Sequence, residues 1–204
     1  KKYPNRVIYG SENRHDMEAW LAVKNNDYIF GQFLWTGIDY LGESRSWPSR
    51  GFNSGLVDFL GQIKPRGYFR QSLWSNKPMV YLGTYISNNK KDEELSKDAW
   101  PIWNYEEGQT IRVVCYTNTA KVRLELNGAI VGKEKKYNEK KGIIFWDIPF
   151  KSGKLEAVGL SDDGKEVSRH AIVSSKQPNS LTVKVENSII NKDKGVAQLI
   201  IQVI

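Results

Sequence analysis

Near the start of the chain an unbroken apolar run, Val7, Ile8 and Tyr9, leads through Gly10 and Ser11 into an acid, Glu12. A strand with one wet face alternates polar and apolar residues, so a continuous run predicts a strand covered on both faces. The acid at its end is either a solvated loop residue or a group presented in a site. In NRHDMEAWLAVKNN, which follows, Met17, Trp20, Leu21 and Lys24 fall on one side at helical spacing, Lys24 lending its aliphatic stem. Asp16 and Glu18 suit the start of that helix, and Asn25 and Asn26 its end. DYIFGQFLWTGIDYLGE then begins as a second apolar strand and finishes polar. A buried strand, a helix and a second buried strand favour a parallel βαβ unit. After the loop SRSWPSRGFNSGLVDFLGQIKP, the stretch RGYFRQSLW (66–74) predicts a closing helix, with Tyr68, Phe69 and Trp74 available for packing. Two strands and two helices leave a parallel sheet short of cover, so residues 1–78 predict the last part of a larger α/β domain.

Residues 79–175 change period. TIRVVCYTN, KVRLELNG, IIFWDIPF, KLEAVGLSDDGKEV and RHAIVSS read as strands, with Val122, Leu124 and Leu126 facing one way and Arg123, Glu125 and Asn127 the other. Asn127-Gly128 and Asp163-Gly164 are tight-hairpin signals. Short strands separated by turns predict an antiparallel sandwich of immunoglobulin type. Cys115, the single cysteine, fits a small core residue and allows neither an intrachain disulfide nor a cysteine metal cluster. Residues 176–204 read as a linker, SKQPNS, and two strands, LTVKVENS and GVAQLIIQVI, the start of a further β-domain.

Composition adds bounds. With 204 residues, 40% of them hydrophobic and 26% charged, the chain is globular in type. No apolar run reaches the length of a membrane span, so no membrane partner is expected. The chain opens on KKYPN, without Met or the pattern of a signal peptide, and a fragment of a longer protein is expected. Part of the net charge of +7 lies in GKEKKYNEKKG (132–142), five lysines against two glutamates, with a second cluster at Lys90 and Lys91. No nucleic-acid motif accompanies them, so they read as solvated edges and loops that discourage edge-to-edge pairing, not as a nucleic-acid surface. SDDG lacks the spaced ligands of a calcium loop and reads as a turn. No metal site and no cofactor is expected.

VIYGSEN together with YIFGQFLWTGIDYLGESRSWPSRGFNSGLVDFLGQIKPRGYFRQSLWSNKPMV resembles the end of the catalytic domain of glycoside hydrolase family 2, nearest to its β-galactosidase-like members. IRVVCYTNTAKVRLELNGAIVGK and the strands after it resemble the immunoglobulin-like domain that follows the barrel. The resemblance implies a mixed fold: the C-terminal portion of a (β/α)8 TIM barrel over 1–78, an immunoglobulin-like β-sandwich over 79–175, and the first strands of a further β-sandwich over 176–204. RVIYGSE would be the seventh barrel strand and YIFGQFLW the eighth, with sites at their C-terminal ends.

On this resemblance Glu12 is the nucleophile of a retaining glycosidase, and Trp35 a wall of the sugar pocket. Asp39 would bind substrate hydroxyls or brace the loop, and Glu43 would brace it. Some family members contact sugar polar groups through an asparagine and a lysine after the eighth strand. Asn53, Ser54 and Lys64 stand there, with Ser54 rather than Asn53 on the asparagine position, so the match is partial. Ser11 and Asn13 flank the nucleophile, His15 caps the helix or sits at the pocket rim, and Trp47 and Arg50 are candidates for the leaving-group side. The family's acid/base is a Glu after an Asn on an earlier strand. Asn138-Glu139 matches by letter only, in the lysine-rich hairpin, so the acid/base is expected outside this chain and the chain alone is expected to be inactive. The partners implied are a carbohydrate with a terminal β-linked sugar and the remainder of the same polypeptide; the compartment implied is the periplasm or the cell exterior. β-Glucuronidase and β-mannosidase share this barrel end and stay open as alternatives. So does a non-catalytic carbohydrate-binding or scaffolding module, for which Trp100, Trp103 and Trp146 would have to line one exposed sheet face.

Overall fold

The computed structural model describes residues 5–88, 94–176, 178–185, 193, 195, 197 and 199–204; Lys90 and Lys91 lie outside them. The fold is mostly β with two helices, in two compact units, Lys1–Ser174 and Ser175–Ile204.

The first unit begins with β1 (Ile8–Asn13), α1 (Met17–Lys24) and β2 (Ile29–Leu34), and β1 and β2 pair in parallel. Asp16 caps α1, its Oδ1 accepting from Ala19 N at 2.8 Å, and Asn25 closes it. A two-residue ladder, β3 (Tyr40–Leu41) with β4 (Gly51–Phe52), pairs the polar end of DYIFGQFLWTGIDYLGE with the stretch read as loop. Helix α2 (Pro65–Trp74) starts one residue earlier than the pattern predicts, because Pro65 takes the first helical position, where its missing N–H costs nothing.

The expectation of two-sided cover for β1 is not met. Val7 is 65% exposed and Tyr9 54%. The helices lie against one side only: Gln32 of β2 donates to Ala19 O of α1, and Arg70 of α2 reaches Gln32. On the other side Tyr9 meets Phe30 and Phe33, with centroids 5.5 and 5.8 Å away, and all three face solvent. A parallel pair without further strands has nothing to place there.

The rest of this unit is a sandwich. One sheet has the order β10 (Ile143–Pro149), β6 (Thr110–Thr117), β5 (Val80–Ile86). The other has β12 (Glu166–Val173), β11 (Lys154–Leu160), β7 (Lys121–Leu126), β8 (Ala129–Ile130), with β9 (Lys135–Lys136) also on β7. Between them Leu82, Trp103, Val113, Cys115, Leu124, Trp146 and Leu155 form one core. The pleat dictates who enters it: Val122 and Leu124 are buried, while Arg123 between them is half-exposed. Asn127 and Gly128 both have positive φ, 53° and 79°, as a two-residue hairpin turn requires.

Strand β5 was not legible as a strand. Its run VYLGTYI packs into the sandwich core and, through Tyr81, against α2; Tyr81 stacks on Tyr68 at 4.5 Å and on Tyr116 at 5.3 Å. Lys135, read as simply solvated, instead lies 4.8 Å from the Phe145 ring and 5.4 Å from that of Trp146, and burial lowers its pKa.

The second unit holds an antiparallel pair, β13 (Leu181–Val185) and β14 (Leu199–Val203), in register from Leu181↔Val203 to Val185↔Leu199.

Candidate functional site

Parallel pairing sets the C-terminal ends of β1 and β2 side by side. Asn13 pairs with Leu34, and Trp35 N donates to Asn13 O at 3.1 Å. Glu12 and Trp35 therefore stand at the same edge of the sheet. Glu12 is exposed and, among the described residues, makes no hydrogen bond or ion pair. Trp35 is 43% exposed and meets Tyr40 edge to face at 6.1 Å, and Tyr40 meets Phe52 at 5.7 Å across the β3–β4 ladder. The Tyr40 hydroxyl donates to Glu43, and that bond, with burial and the charges of Glu43 and Glu12, raises its pKa. A bare carboxylate thus faces a short aromatic shelf with a phenol at its edge.

Under the shelf lies a buried ion pair. Lys64 Nζ donates to both oxygens of Asp39, at 2.9 and 3.1 Å, and to Asn53 O at 2.6 Å. Asp39 Oδ1 also accepts from Gly55 N at 2.8 Å. Both residues are buried, so breaking the pair from one side strands a charge. Gly55 has to be glycine: a Cβ there would come within 2.3 Å of Asp39 N. The structure thus joins Asp39 and Lys64 to each other and to the loop after β2. Ser54 belongs to the same network. Its carbonyl accepts from His15 Nε2 at 2.8 Å, and its hydroxyl lies 3.1 Å from that of Thr36. Burial lowers the His15 pKa, the Ser54 bond opposes that, and Arg66 and Arg70 add to it. The imidazole is therefore neutral, holding the loop at the pocket side while Asp16 caps the helix. Asn53 and Trp47 are exposed.

Behind the strands Arg70 is fully buried. Its guanidinium donates to Arg14 O at 3.0 Å and to Gln32 Oε1 at 3.3 Å, lies 5.7 Å from the Trp74 ring, and leaves Nε without a partner. Burial brings its pKa down to about 10. It fastens the segment after Glu12 to β2 and α2. Neither Tyr40 nor Arg70 was singled out in the sequence. The signal for Tyr40 was its place in WTGIDYLGE; for Arg70 there was none, since exposed and buried arginines look alike in a helical pattern.

A groove of about 1410 Å³ lies elsewhere in this unit, lined by residues that include Arg66, Asp98, Arg112 and Asp147 and not by Glu12, Trp35 or Asp39. Two salt bridges lie in its lining, Arg66 with Asp98 and Arg112 in a two-point bond with Asp147, both 2.8 Å. Among the described residues no group of three His, Cys, Asp or Glu side chains is placed to hold a metal.

Residues 108–168 match a family model described as "Domain of unknown function (DUF4982)", which spans most of the sandwich. Beta-galactosidase BoGH2A of Bacteroides ovatus is 31% identical over 184 residues, covering 89% of this chain and 19% of that protein. A beta-glucuronidase of Formosa agariphila is 28% identical over 112 residues, covering 54% of this chain and 10% of that protein. The crystal structure of a glycosyl hydrolase family 2 member from Bacteroides cellulosilyticus superposes with a TM-score of 0.77 at 25% identity, covering 100% of this chain and 27% of that one. The chain therefore spans less than a fifth of the length of the curated relatives it matches.

Proposed function

This chain is homologous to one segment of glycoside hydrolase family 2 proteins, and from that premise we propose that it is the C-terminal part of a retaining, exo-acting glycoside hydrolase. The observation that carries the reading is Glu12, exposed and unpaired at the C-terminal end of a parallel strand, beside the Trp35–Tyr40 shelf. On this reading residues 1–78 complete a (β/α)8 barrel whose active site opens at that edge, and the bare face of Tyr9, Phe30 and Phe33 packs against barrel supplied by the rest of the polypeptide.

The chemistry follows from two carboxyl groups about 5–5.5 Å apart. Glu12 attacks the anomeric carbon and forms a glycosyl ester while a carboxylic acid from an earlier barrel strand protonates the departing oxygen. The same group, now a carboxylate, takes a proton from water, which attacks the ester and frees Glu12. Trp35 packs its ring on the C–H face of the sugar. Ser54, half-buried with its hydroxyl 3.1 Å from that of Thr36, offers a sugar hydroxyl a polar contact from this loop. Asp39 and Lys64 hold that loop in place through their mutual bonds. Relatives named β-galactosidase and β-glucuronidase, at 31% and 30% identity, both support glycoside hydrolysis; the terminal β-galactoside follows the likeness of VIYGSEN and FLWTGIDYLGE to β-galactosidase-like members. A periplasmic or extracellular site of action is part of this reading and rests on family habit alone. The sandwich as an independent carbohydrate-binding module has less behind it: Trp103 and Trp146 are core residues at 1% and 3% exposure, which leaves only Trp100 in water.

The test is Glu12→Gln in the intact polypeptide, with turnover of a nitrophenyl β-galactoside followed. A drop of about a thousandfold or more is expected for removal of a nucleophile; retention of the rate would overturn the assignment. The 204-residue chain by itself should give no turnover.

A further inference from the structure

The segment between β3 and β4 is not a slack loop. Gly42 N donates to Arg50 O at 3.4 Å, Ser49 N to Ser46 O at 3.2 Å, and Ser49 Oγ to Gly51 O at 3.2 Å. This ordered tip carries Trp47, 76% exposed, with the Arg50 guanidinium 5.0 Å from its ring centroid. Arg45 is exposed on the same tip. The carboxylate in the segment, Glu43, accepts from the Tyr40 hydroxyl and, among the described residues, forms no ion pair with Arg45 or Arg50. The ladder that bears the tip starts at Tyr40 and Phe52, the rings that continue the shelf beyond Trp35. The tip is therefore carried by the same ladder that extends the shelf.

We propose that Trp47, Arg50 and Arg45 form a subsite on the leaving-group side for a sugar unit bearing a sulfate or carboxylate, so that the substrate is an anionic polysaccharide. This rests on the glycosidase reading above. A large aromatic ring with a guanidinium over it offers one surface to the C–H face of a pyranose and a planar donor fork to an oxyanion. Tryptophan and arginine are also the residues most concentrated where binding energy is made. Within this chain residues 41–50 are all exposed, and among the described residues no carboxylate is paired with either arginine.

The experiment uses the intact polypeptide and three substrates: nitrophenyl β-galactoside, a β-galactosyl disaccharide sulfated on its second unit, and the same disaccharide without sulfate. Wild type should prefer the sulfated disaccharide, with a preference that shrinks as salt rises. The ratio of kcat/KM for sulfated over unsulfated disaccharide should fall about tenfold in Arg50→Gln. The ratio of either disaccharide over the nitrophenyl substrate should fall about tenfold in Trp47→Ala. Equal kcat/KM for the two disaccharides in wild type, or unchanged ratios in both variants, overturns the subsite. Failure of the glycosidase reading looks different: no substrate is turned over at all. In that event, titration calorimetry of the sulfated disaccharide still decides, since loss of binding in Trp47→Ala supports the subsite and equal or absent binding overturns it.

Discussion

The parallel pair β1–β2 and the strand β6 both carry runs of apolar residues, yet their environments are opposite. Val113, Val114, Cys115 and Tyr116 of β6 are all fully buried, whereas Val7, Tyr9, Phe30 and Phe33 are each more than half exposed. β6 has a neighbour on either edge, a facing sheet, and α2 on its outer side. β1 has one neighbour and helices on one side. Apolarity measures what a strand is ready to bury; the supply of partners decides whether it does. Within this unit the sandwich carries the packing and the strand pair presents the candidate carboxylate. The two meet through α2, whose Phe69 enters the Tyr81–Tyr116 cluster while its Arg70 holds the segment after Glu12.

The contrast can be broken or sharpened. The largest stability effect is expected from Trp103→Ala, about 3–5 kcal/mol, because its ring is enclosed in the core and its Nε1–H donates to Lys151 O; chemical denaturation of the chain reads it. Lys64→Met comes next, about 3 kcal/mol, since it leaves Asp39 buried and unpaired; adding Asp39→Leu should recover much of the loss. Recovery would identify the pair as a brace, and its absence would point to a further role. Phe33→Ser should cost less than about 0.5 kcal/mol in this chain, where the ring is in water. In the intact polypeptide it should cost about 3 kcal/mol if barrel strands cover that face, so equal costs in both would count against the barrel reading.

A smaller effect depends on pH. His170 Nδ1 accepts from Leu82 N at 3.0 Å, linking β12 to β5, and its ring stacks on Tyr81 at 5.2 Å. A protonated Nδ1 cannot accept, and burial lowers the His170 pKa below its ordinary 6.5. The folded state therefore disfavours the proton that the unfolded chain takes up. The stabilisation is complete above pH 6.5 and is lost as pH falls from there through the folded pKa. Unfolding midpoints of wild type and His170→Gln across pH 5–8 should converge on the acid side; parallel curves would remove His170 from the account.

Much of the fold was legible because its signals are local. Asp16 before MEAWL, the alternation in KVRLEL and the Asn127-Gly128 turn each state a backbone preference within a few residues, and each element formed where it was expected. β5 was missed because it lies buried against both the core and α2, which erases alternation. In the candidate site, Glu12 and Trp35 were singled out through the family resemblance, since strand-end position alone leaves a solvated acid and a core tryptophan as the plainer readings. Tyr40 and Arg70 were not, because their roles depend on what faces them: Glu43 and Trp35 for the phenol, Arg14 and Gln32 for the guanidinium. Lys135 illustrates the same limit, since a lysine in a charge run and a lysine over two aromatic rings are spelled alike.

By itself, the sequence determined the kind and order of the elements, through periodicity, caps and turn residues that act over a handful of positions. The tertiary structure alone decided that Asp39 and Lys64, 25 residues apart, neutralise each other beneath the loop, that Glu12 stays unpaired, and that the Tyr9 face stays open. Those outcomes depend on distances between segments remote along the chain, which no local pattern encodes.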